Sequence, residues 1–71
     1  MTRYQNLPYF TLPYFTIEYE FTHASGLTAK YTVVVPAPTA EAAPAVAMDK
    51  MRREGTPVDR VVIIRTTPRK S

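Results

Sequence analysis

Cysteine is absent from this chain. That excludes disulfides and thiolate metal centres, and it leaves the redox compartment open. Histidine occurs once, at His23, where a strand pattern meets a turn. With no thiol in the chain and only Ser25 close to it in sequence, His23 reads as a surface residue and not as a catalytic base. The two glycines, Gly26 and Gly55, lie far apart and form no phosphate-binding loop. No apolar run approaches the ~20 residues that a membrane span requires. Pro8 and Pro13 interrupt the opening stretch where a signal sequence would need an apolar core. The expected setting is the cytoplasm, with no membrane partner.

What is present suits one small domain. The chain has 71 residues, 45% hydrophobic and 21% charged, which is ordinary globular material. A chain of this size buries about 60% of its unfolded surface. Its core supplies only ~3–5 kcal/mol net. The net charge of +3 is uneven, with −1 over residues 1–29 and +4 over residues 30–71. A bias this mild permits nucleic-acid contact without demanding it.

The unit from Lys30 to Arg65 reads as strand, helix and strand. Before it, Leu7-Pro-Tyr-Phe-Thr11 repeats at once as Leu12-Pro-Tyr-Phe-Thr16. Each proline favours extended geometry in the leucine before it, so residues 1–14 read as an extended arm. The arm either packs on its own domain or grips a partner. From Phe15 to His23 the pattern alternates strictly: Phe15, Ile17, Tyr19 and Phe21 face a core, while Thr16, Glu18, Glu20 and Thr22 face outward. Ala24-Ser25-Gly26 makes a turn. Leu27 to Val35 returns with Ala29, Tyr31, Val33 and Val35 inward and Thr28, Lys30, Thr32 and Val34 outward.

Pro36 and Pro38 stop that strand. Thr39 is the expected helix N-cap, with Glu41 in the first turn. Ala40, Ala43, Pro44, Ala47 and Met51 fall on one helical face, with Met48 and Met51 as core fillers. Pro44 is the irregularity, implying either a distorted first turn or a later helix start. Gly55 is the expected residue just past the helix end. Val58 to Thr66 forms the third strand. In it either Val61 with Ile63, or Val62 with Ile64, faces away from the helix.

The expected fold is α+β with order ββαβ. It has a three-stranded mixed sheet in spatial order 2-1-3, one helix on one face, and the extended N-terminal arm. The division is 1–14 for the arm, 15–67 for the domain and 68–71 for a basic tail. The helix face should hold Ile17, Tyr19, Phe21, Tyr31 and Val33. One helix leaves the other sheet face bare, and a bare apolar patch rimmed by charge marks an interaction surface.

No residue set supports catalysis, a cofactor or a metal. Glu18 and Glu20 share a strand face, but with Lys30 across the hairpin they read as a cross-strand charge pattern. Two glutamates and one histidine lack a recognisable metal-ligand spacing. The layout resembles that of small bacteriophage and mobile-element proteins, carried by Thr32-Val-Val-Val-Pro-Ala-Pro-Thr-Ala-Glu-Ala-Ala-Pro-Ala-Val-Ala47 within the Lys30–Arg65 unit. Anti-CRISPR proteins and phage inhibitors of host RNA polymerase are of this kind. The resemblance implies a non-enzymatic protein that occupies the surface of a nucleic-acid machine. It carries no functional residue with it, and Pro44 departs from the usual unbroken helix.

The expected partner-binding residues are Tyr9, Phe10 and Tyr14 as apolar anchors. Arg52, Arg53 and Arg65 would add polar contacts, and Glu18 and Glu20 would mimic phosphates. The alternative is direct RNA or DNA binding by the basic helix end (Lys50, Arg52, Arg53) and the tail. A homodimer through the third strand or the open face is compatible with both.

Overall fold

A computed structural model describes residues 12–69. Its elements are β1 (Tyr14–Thr22), β2 (Thr28–Pro36), α1 (Ala43–Arg53) and β3 (Val61–Pro68). The aromatic and β-branched alternation of the first strand produces β1 as expected. Phe15 and Ile17 are buried, and Tyr19 and Phe21 are half-buried. The β1–β2 hairpin is unbroken from Tyr14 opposite Pro36 to Thr22 opposite Thr28. At its turn Gly26 has φ +96°, a conformation glycine reaches without steric cost.

The spatial order is β2-β1-β3, as expected. Both pairings are antiparallel. β2 and β3 run in the same direction on opposite sides of β1. The sheet is therefore antiparallel at every ladder, and mixed only in that its two outer strands are parallel to each other. Tyr14 belongs to β1 and not to the arm, and β3 runs on to Pro68. The Arg69 amide donates to the Tyr14 carbonyl at 2.9 Å. Residues Val58–Arg60 form a 3-10 turn before β3 instead of opening the strand. The Arg60 guanidinium donates to the carbonyls of Thr22 (3.4 Å) and His23 (3.3 Å), tying that turn to the end of β1.

The helix starts later than Thr39 would set it. The Thr39 hydroxyl accepts from the Ala42 amide at 3.2 Å, closing a turn that precedes the helix. Ala42 occupies the cap position and brings no side-chain hydrogen bond. Glu41 precedes the helix, so no acid stands in its first turn. The late start resolves the irregularity at Pro44. In the first turn its missing amide has no intrahelical partner to lose. Ala40 stays exposed, and Ala43, Ala47 and Met51, four residues apart, are buried.

The helix ends as the sequence implies. Gly55 has φ +88°. The Gly55 amide donates to the Arg52 carbonyl (3.1 Å), and the Thr56 amide donates to the Met51 carbonyl (2.9 Å). This pair of bonds is a Schellman motif. No atom lies within 4 Å of where a Gly55 Cβ would stand, so an added methyl meets only backbone strain. Gly55→Ala should therefore cost about 1–2 kcal/mol, the left-handed penalty of an L-residue. Urea denaturation checks this, and an unchanged midpoint would contradict the left-handed geometry.

The core consists of Phe15, Ile17, Val35, Ala37, Ala43, Ala47, Met51 and Val61. The helix lies chiefly over β2. Among the described residues no helix is long and apolar enough to cross a membrane.

Candidate functional site

The strands build two surfaces, one on each side of the sheet. The first is the face without a helix. Pleating sends Tyr14, Thr16, Glu18, Glu20 and Thr22 of β1 to this side, with Lys30, Thr32 and Val34 beside them on β2. On β3 the exposed pair is Val62 and Ile64, while Val61 is buried and Ile63 half-buried. The question left open by the continuous Val61–Ile64 run is thereby decided. Four large apolar residues of this surface are exposed: Tyr14 (48%), Val34 (37%), Val62 (62%) and Ile64 (42%).

A β-bulge sets the charge pattern here. Ile63 stands opposite Tyr19 and Arg65 opposite Glu18, so Ile64 is an extra residue on β3. Strict alternation would send Arg65 to the helix side. The extra residue instead returns it to the open face. There its guanidinium meets the Glu18 carboxylate at 3.2 Å and 3.3 Å. Arg65 is 68% exposed, so the pair contributes at most about 1 kcal/mol. Glu20 lies between Lys30 on β2 and Val62 on β3.

The second surface lies on the helix side, beyond the helix end. The side chains of Tyr19, Phe21 and Tyr31 make its floor, with His23 at the hairpin end. The segment from Glu54 to Pro57 makes its wall. The cleft is shallow and open to solvent, with a volume of about 370 Å³. Tyr19 and Tyr31 are a cross-strand pair with stacked rings, 5.7 Å apart at 30°. The Phe21 and His23 rings meet edge to face at 4.9 Å. His23 Nε2 and Tyr31 Oη share a 2.9 Å hydrogen bond.

The expected partner-binding residues divide among separate places. Tyr14, Glu18, Glu20 and Arg65 share the open face. Glu18 and Arg65 engage each other there at 3.2 Å. Arg52 and Arg53 lie on the helix, on the other side of the sheet. Both reach Asp49, at 3.5 Å and 3.3 Å. Tyr9 and Phe10 lie outside the described residues.

Sequence reasoning missed the cleft, because it assigned Tyr19, Phe21 and Tyr31 to full cover by the helix. Tyr31 is in fact 40% exposed. The signal was available in the lengths. An 11-residue helix spans roughly 16 Å at 1.5 Å per residue, whereas nine strand residues span roughly 30 Å. Among the described residues no group of three or more metal-ligating side chains comes together. No protein-family model, curated protein or solved structure matches this chain.

Proposed function

We propose that this chain acts without chemistry of its own, as a protein–protein interaction module that docks through the open face of its sheet. The observation that carries this reading is the exposure of Tyr14, Val34, Val62 and Ile64 together on the side the helix leaves bare. The charges among them nearly cancel, with Glu18 against Arg65 and Glu20 beside Lys30. A near-neutral surface with exposed apolar residues suits a protein partner better than a phosphate backbone. The resemblance to small phage inhibitors makes a host nucleic-acid machine, a CRISPR effector or an RNA polymerase, the partner to test first.

Direct RNA or DNA binding has less support. The cations of the helix end lie beside acids: Lys50 at 2.8 Å from Glu54, and Arg52 and Arg53 at Asp49. Three cations against two acids leave a weak phosphate-binding patch.

The test replaces Val62 and Ile64 with lysine together. Both side chains are exposed, so the fold should change little. Binding to purified RNA polymerase or CRISPR effector should weaken at least roughly tenfold, the effect of losing central apolar anchors. Unchanged binding would overturn the open-face reading. Light scattering of the wild-type chain distinguishes a second copy from a foreign partner on that face.

A further inference from the structure

We propose that the cleft between the hairpin and the helix end receives an arginine side chain presented by a partner protein. The cleft lies on the opposite side of the sheet from the surface discussed above, so the two readings stand or fall separately. The floor supplies the first argument. The stacked Tyr19 and Tyr31 rings form an aromatic platform, and Tyr31 is 40% exposed. An aromatic face attracts a cation through its quadrupole, and a planar guanidinium also stacks on it.

Charge supplies the second argument. Among the described residues that line the cleft, Glu54 brings a carboxylate and none is a lysine or arginine. The wall is also the C-terminal end of α1, where the helix dipole places partial negative charge. The cleft thus offers a carboxylate at its wall, while the last helical turn beside it carries Lys50, Arg52 and Arg53. Lys50 already holds Glu54 at 2.8 Å, but both side chains are well exposed, and such pairs are readily exchanged. An incoming guanidinium would offer a planar fork to the carboxylate while resting on the rings. Phe21 and Pro57 would cover its aliphatic stem. Lysine lacks both the plane and the fork, so arginine is the better fit.

The test is an NMR titration of the full chain with Nα-acetyl-arginine methylamide, against the neutral citrulline analogue of the same shape. Saturable shifts are expected at Tyr31, His23 and Gly55 with the arginine ligand, and much smaller ones with citrulline. Glu54→Gln and Tyr31→Leu should each weaken binding by roughly threefold to tenfold, within the range of exposed cation–π and ion-pair contacts. Glu54→Gln alters only an exposed side chain, so it stays interpretable if Tyr31→Leu perturbs the sheet. Equal response to citrulline, no saturable shift, or shifts confined to the Glu20 side of the sheet would each overturn the proposal.

Discussion

Ile17→Ala leaves a large part of the protein unfolded at room temperature. Ile17 is 0% exposed and sits on the central strand, opposite Val33 on one side and Thr66 on the other. Truncating such an isoleucine costs about 2–5 kcal/mol, because the transfer energy is lost and a cavity remains. A core of this size supplies only about 3–5 kcal/mol net. The substitution therefore removes most or all of the stability. Ile17→Val removes one methylene and should cost about 0.5–1.5 kcal/mol. Urea denaturation followed by circular dichroism measures both. A loss below about 1 kcal/mol for Ile17→Ala would mean that this side chain is not packed as described.

Overfilling the helix–sheet contact is the second large effect. Ala43 and Ala47 are 0% exposed, and their small side chains let α1 approach the strands closely. Ala47→Leu should destabilise by about 1–3 kcal/mol, since a packed interface accommodates added methylenes only by moving backbone or straining rotamers. Ala45→Leu on the exposed side of the same helix should stay within about 0.5 kcal/mol. Thermal melts of the two variants give the comparison. Equal melting temperatures would show that the helix does not rest on the sheet through Ala47.

The contrast between these alanines also marks how far the sequence could be read. Alternation in β1 and β2 identified the inward sets correctly, because side-chain period in a strand is geometrically fixed. Spacing of four found Ala43, Ala47 and Met51, and Gly55 marked the helix end. The helix start was harder. Thr39 has the chemistry of a cap, but it closes a turn three residues before Ala42 takes the cap position. A local motif does not reveal which of two successive turns propagates. Pro44 held the better clue, since proline fits a first turn and not a second.

The candidate surfaces were legible in part. The bare sheet face followed from having one helix, and Glu18 and Glu20 fell on it by alternation. Tyr14 was assigned to the arm and joins that face only because β1 starts one residue earlier. Arg65 reaches it only through the bulge at Ile64, which no residue pattern announces. Residue type also misled at the cleft. Tyr19, Phe21 and Tyr31 look like core residues, and their fate depended on where the helix stops. That is a property of α1's length and not of the strand that carries them.

The extra residue in β3 has a consequence for the margins of the sheet. Among the described residues β1 is paired on both sides, which leaves β2 and β3 as the borders of the sheet. A bulge bends and twists the strand that holds it, and a twisted border is a poor template for an incoming strand. β2 pairs with β1 without interruption along all nine residues, so its border stays regular. The two borders are thus unequal. An extended peptide, or the strand of a second copy, would extend the sheet more readily beside Val33 and Tyr31 than beside Ile64.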